Sequence, residues 1–117
     1  MTWGWTFERH GDARMNWVLD VKHPDGTEER FLLKPPSCVL GYARDCDFHI
    51  YEGSVSNSHA RFSQCKDRKW WVEDLGSTNG TWVEDIELKV PLVLTPGLRI
   101  TFGDVEAVVN VKESLPE

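Results

Sequence analysis

Asp74-Leu75-Gly76-Ser77-Thr78-Asn79-Gly80-Thr81 is the stretch from which this chain is best read. Asn-Gly is the strongest short hairpin signal, because both residues tolerate positive φ. The dipeptide follows the strand-like run Lys69-Trp70-Trp71-Val72-Glu73 and precedes Thr81-Trp82-Val83. A tight hairpin turn at Asn79-Gly80 is the local expectation. Upstream stands Ser56-Asn57-Ser58-His59, again between β-like segments. Further upstream comes Gly41, then Cys46-Asp47-Phe48-His49-Ile50.

The same alternation of strand and turn runs through the chain. Turn signals recur at Gly11-Asp12, Asp25-Gly26, Pro35-Pro36, Pro96-Gly97 and Gly103-Asp104. Trp17-Leu19-Val21, Leu98-Ile100-Phe102 and Ala107-Val109-Val111 each alternate with the residues between them. Period two means strands with one buried face. The pattern predicts strands over 3–9, 16–22, 28–34, 38–41, 48–50, 60–64, 69–74, 81–83, 98–102 and 107–112. One further short strand is expected within 87–94. No long amphipathic helix is visible. The expected fold is all-β: an antiparallel sandwich of ten to eleven short strands, one domain over residues 1–117. Loops near 42–47, 52–58 and 75–80 then carry the motifs, where binding residues usually sit.

Composition narrows the function. The chain has 117 residues, enough for one core, and six tryptophans, which bury a large area in a small sandwich. No apolar run reaches the roughly 20 residues of a membrane span, and no signal peptide is evident. A net charge of −6 disfavours nucleic acid and anionic membranes, since binding either relies on Lys and Arg. Cys38, Cys46 and Cys65 are odd in number, and Cys46 with His49 makes only half of a four-ligand zinc site. Reduced thiols in an intracellular protein, nucleus or cytoplasm, are the expectation. No metal or cofactor is expected. Ser56 and His59 lie close in sequence, but no nucleophile elbow or third orienting residue accompanies them, so no catalytic residue is assigned.

The loops offer hydroxyls from Ser56 and Thr78, amides from Asn57 and Asn79, and backbone N–H groups. Such a donor-rich cluster suits phosphate, which carries strong acceptors and a charge near −2. Arg44 is the nearest guanidinium in sequence. Ser56 could equally order its own turn through a hydroxyl-to-backbone bond. For His59, at a strand start, bracing of loop backbone is the favoured role. The tryptophans are assigned to packing, with Trp82, near Asn79-Gly80, the one candidate for ligand contact.

From about residue 31 to 111, this order of motifs resembles a forkhead-associated (FHA) domain, a β-sandwich that reads phosphothreonine in protein partners. The resemblance implies phosphate contacts from Ser56 and Thr78, and Asn79 holding the peptide backbone. It implies His59 as a brace, and Gly41 and Gly80 as turn glycines. Ser56-Asn57-Ser58-His59 and Cys46-Asp47-Phe48-His49 are similar to checkpoint-kinase FHA domains, where the Asn also contacts phosphate; that maps to Asn57. A kinase-associated role in DNA-damage signalling would follow. The family's Gly-Arg is Gly41-Tyr42 here, so the usual charged anchor is absent. Losing one charged hydrogen bond weakens binding about 10- to 150-fold, unless Arg44 replaces it. Where some checkpoint-kinase domains have an Arg that reads an acidic residue, this chain has Ser54. The implied partner is a phosphothreonine protein bound by a monomer. The alternative is a phosphate-independent interaction or dimerisation module on the same fold.

Overall fold

Alternate residues Leu19 and Val21 are buried in strand β1 (Met15–Lys22), while Asp20 between them is half-buried on the other face. The computed structural model describes residues 15–113; the strand expected over 3–9 lies outside them. The described residues form eleven strands and no helix. After β1 come β2 (Glu28–Leu32), β3 (Ser37–Gly41), β4 (Phe48–His49), β5 (Ala60–Gln64) and β6 (Trp70–Asp74). Then follow β7 (Thr81–Val83), β8 (Ile86–Glu87), β9 (Leu92–Val93), β10 (Arg99–Phe102) and β11 (Val105–Glu113).

Two sheets face each other. One has six strands in the order β2-β1-β11-β10-β7-β8, the other five in the order β4-β3-β5-β6-β9. The longest pairing is β1 with β11, from Met15↔Glu113 to Lys22↔Glu106. One pair departs from the antiparallel expectation: β3 and β4 run parallel, Leu40 opposite Phe48. Loop 42–47 doubles back there, with the Cys46 N–H on Ala43 O at 3.1 Å. Pairing over two residues needs no helical crossover.

The core lies between the sheets. Phe62 of β5 and Phe102 of β10 meet edge-on, ring centroids 6.2 Å apart, and join the two layers. Leu19, Leu40, Ile50 and Ile100 are fully buried around them. Each of these apolar side chains is worth about 1.5–3 kcal/mol when buried. Trp70 belongs to this core, Trp17 packs against it, and Trp82 is exposed.

One further sequence expectation needs correction. Asn79-Gly80 is not a hairpin turn. It lies on the link that carries the chain from β6 in one sheet to β7 in the other. Both edges of β6 are already occupied, by β5 and β9, so β7 cannot pair with it. Gly80 has φ +87°, but Asn79 is not at positive φ, as a type I′ turn requires. The two-residue turn with both φ positive is Glu84-Asp85, φ 47° and 70°, between β7 and β8. The short strand expected within 87–94 is β9, and β8 is one more, overlapping that segment only at Glu87. β8 and β9 end different sheets.

Candidate functional site

Asp74, at the end of β6, builds the loop that follows it. Its Oδ2 accepts the N–H groups of Gly76 and Ser77 at 2.9 and 3.0 Å. Its Oδ1 accepts the hydroxyls of Ser77 and Thr81 at 2.6 and 2.7 Å. Burial pushes the carboxyl pKa up, but four donors favour the charged form and leave it below the usual carboxylate value. Ser77 Oγ in turn accepts the Gly80 N–H at 2.9 Å. The Trp82 indole closes over the turn and donates to Asn79 O at 3.1 Å. Thr78 and Asn79 are thereby left exposed at the loop tip.

The loop between β4 and β5 meets this tip. The Thr78 N–H donates to Ser56 Oγ at 3.0 Å, across 22 residues of sequence. The Ser56 hydroxyl therefore joins two loops rather than ordering its own turn. Its proton stays available to a further acceptor, since a hydroxyl both donates and accepts. Asn79 Nδ2 donates to Ser54 O at 2.8 Å. Ser54 is also held from the β10–β11 turn, where the Asp104 N–H donates to its Oγ at 2.9 Å. A Cβ on Gly103 would stand 2.3 Å from Ser54 O, so only glycine lets that turn approach.

His59 lies beneath both loops, fully buried. Its Nδ1 faces the Ser56 N–H at 3.0 Å and its Nε2 faces Gly80 O at 2.9 Å. An N–H can only donate, so Nδ1 is the acceptor and Nε2 carries the proton. The ring stands edge-on to Phe102, centroids 5.7 Å apart. Burial, which dominates, lowers its pKa and keeps the imidazole neutral.

The third loop, 42–47, is stitched to the second through the backbone. The Tyr42 N–H donates to Ser56 O at 2.9 Å, and the Ala43 N–H to Asn57 O at 3.2 Å. Cys46 Sγ donates to the same Asn57 oxygen at 3.1 Å. Gly41 is not at positive φ; a Cβ there would lie 2.1 Å from Asn57 O. Its glycine is demanded by close backbone approach, not by turn geometry. The Asn57 side chain is exposed. Tyr42 turns onto Tyr51, ring centroids 5.3 Å apart and planes 24° from parallel.

A shallow groove runs between these loops. It is lined by Gly53, Ser54, Val55, Ser56, Asn57, Gly76, Thr78 and Asn79, none of them charged. Of the expected site residues, Ser56, Asn57, Thr78 and Asn79 come together here, with His59 and Gly80 behind them. Arg44 stands outside this lining, on the exposed part of loop 42–47, where its charge acts on the Tyr42 hydroxyl. Asp74 and Gly103 lie outside the expected site residues, and Ser54 enters the expectation only as the place of an absent arginine. Asp followed at the second and third positions by Gly-Ser is a carboxylate-capped turn pattern that points to Asp74. Gly103-Asp104 signals a turn but not its neighbour, and no local signal marks Ser54.

A family model for the FHA domain matches residues 38–103, from the second residue of β3 to the β10–β11 turn. The chain belongs to the FHA family. The FHA domain-containing protein FhaB of Mycobacterium tuberculosis (strain CDC 1551 / Oshkosh) is 31% identical over 77 residues, 66% of this chain. The match covers 49% of FhaB, so the chain spans about half the length of that relative. Among solved structures, the FhaA FHA domain complexed with the intracellular domain of Rv3910 superposes with a TM-score of 0.72 at 26% identity. That match covers 80% of this FHA domain and 99% of that chain. An FHA domain solved in work on phosphothreonine-dependent FHA domain interactions has a TM-score of 0.73 at 24% identity, over 87% and 99% of the two chains. At that identity the likeness is one of fold.

Proposed function

We propose that this FHA domain binds phosphothreonine in a partner protein, as an interaction module rather than an enzyme. The observation that carries the reading is the Ser56 hydroxyl, which accepts the Thr78 N–H at 3.0 Å and so keeps its own proton for a ligand oxygen. Thr78, Asn57 and Asn79 surround it with further donors at a solvent-open groove. Phosphate presents enough acceptors to use them all. Arg44 is the cation carried by the neighbouring loop, and we assign it an electrostatic role in place of the family's arginine.

FhaB of M. tuberculosis is among the relatives that match, whereas the checkpoint-kinase likeness rests on short motifs such as Ser56-Asn57-Ser58-His59. Phosphorylation-dependent signalling is therefore proposed without a checkpoint role. Three free cysteines, Cys38, Cys46 and Cys65, support an intracellular setting.

A titration with one threonine peptide, phosphorylated and not, tests the reading. Tight binding of the phosphorylated form alone is expected. Ser56→Ala or Thr78→Ala should each weaken it about tenfold or more, the scale of a hydrogen bond to a charged group. Arg44→Ala should weaken it too, and Tyr42→Arg should strengthen it. Equal affinity for both peptide forms would replace this reading with a phosphate-independent module, which the Arg-to-Tyr42 exchange favours.

A further inference from the structure

The aromatic step at the rim of the groove is not needed to hold phosphate. Tyr42 and Tyr51 stack there, and the His49 ring meets Tyr51 at 6.2 Å and 54°. Tyr51 is nonetheless 73% exposed, so most of its surface is open to a ligand. The step is built onto the groove. The Tyr42 backbone N–H is bonded to Ser56 O, and Tyr51 stands two residues before Gly53 in the groove lining. A peptide whose phosphothreonine reaches Ser56 and Thr78 has its neighbouring residues beside these rings.

Charge decides what the step accepts. The groove lining holds no charged side chain, and the chain as a whole carries −6. A phosphate of charge near −2 meets only dipoles in the lining. The face of an aromatic ring is negative and attracts cations. Asp45 lies on the adjoining loop, whereas the Glu52 carboxylate, next in sequence to Tyr51, is turned to His23. Arg44, whose field reaches the Tyr42 hydroxyl, opposes it. The exposed Tyr51 ring is thus the place for a positive side chain. A cation in the ligand also adds to Arg44 in offsetting the phosphate charge.

We propose that Tyr51, backed by Tyr42 and His49, selects phosphothreonine peptides that carry an arginine or lysine near the phosphorylated residue. This rests on the reading of the groove as a phosphothreonine site. The test is an anisotropy titration with a neutral phosphothreonine peptide. Arginine, glutamine or norleucine is walked through each flanking position, with and without the phosphate. At one position arginine should tighten binding about two- to fivefold over glutamine. Tyr51→Leu should bring that ratio to one, and Tyr51→Phe, which keeps the ring face, should preserve it. The proposal is overturned if no position shows the gain. It is equally overturned if the gain survives Tyr51→Leu, or if norleucine gains as much as arginine. Indifference to the phosphate itself would overturn the functional reading, and this proposal with it.

Discussion

His59 and His23 both hold the stretch from Glu52 to Ser56, from different elements and by opposite chemistry. His59 is buried beneath it, accepts the Ser56 N–H and donates to Gly80 O. Those partners require a neutral ring. His23, where β1 turns toward β2, lies between two carboxylates. Its Nδ1 is 2.9 Å from Glu52 Oε2 and its Nε2 is 2.5 Å from Glu29 Oε2. A carboxylate only accepts, so both contacts are satisfied together only when both nitrogens carry protons. Burial lowers the His23 pKa, but the two carboxylates outweigh it and raise it above the ordinary 6.5. One residue type thus serves as a pH-indifferent brace above neutrality in one place and as a charged clasp in the other. The difference follows from whether the ring faces backbone or carboxylates.

Removal of the His59 brace should have the largest effect. His59→Ala leaves the Ser56 N–H and Gly80 O without their partner and opens a cavity against Phe102. A loss of about 3 kcal/mol is expected in chemical denaturation, with peptide binding lost as the loops separate. Its pH signature has a sign. The folded pKa lies below the unfolded 6.5, so the unfolded chain takes up a proton first as pH falls. Wild type should lose stability on acidification below about pH 6.5, and His59→Ala should lose that part of the slope. Unchanged stability together with lost binding would make His59 a ligand contact instead.

Next in size is the seam that fastens loop 42–47 to the same stretch. Gly41→Ala would place a methyl 2.1 Å from Asn57 O, which is backbone and cannot swing aside. A cost of about 2 kcal/mol is expected from overpacking, with weaker binding because Asn57 shifts. Gly53→Ala, whose Cβ would meet nothing within 4 Å, is the matched control and should change stability by less than about 0.5 kcal/mol. Equal melting temperatures for the two variants would show that the loops are not held by this close approach.

The smallest effect sharpens the other side. His23 carries a raised folded pKa, so its contribution is complete below the unfolded 6.5 and disappears as pH rises through the folded value. His23→Gln should cost up to about 1 kcal/mol on the acidic side, the scale of a surface ion pair, and nothing well above the folded pKa. A wild-type and His23→Gln difference that stays constant across that window would mean that the clasp works by packing, not charge.

Much of this molecule was legible in its residues. Trp17-Leu19-Val21 and Leu98-Ile100-Phe102 place β1 and β10 because a strand alternates its side chains, a purely local rule. The positions of Ser56, Asn57, Thr78 and Asn79 on loops follow from the same punctuation. Asn79-Gly80 misled because a turn dipeptide reports what the backbone tolerates, not which strand has a free edge. Glu84-Asp85 went unseen because no glycine marks its positive φ values. The Glu84 side chain accepts the Arg99 N–H there, a bond to a strand far along the chain.

By itself, then, the sequence determined the period-two strands and the polar residues at their ends, since both depend on neighbours along the chain. Tertiary structure decided the rest of the site: that Ser56 Oγ meets the Thr78 N–H, that Asp104 and Gly103 lock Ser54, and that Gly41 must be bare to pass Asn57. It decided that Tyr42 turns onto Tyr51 while the groove lining stays uncharged. Those are contacts between different loops, brought together as strands pair within a sheet and as the two sheets close on Phe62 and Phe102, and no local pattern encodes which loops will then share an end.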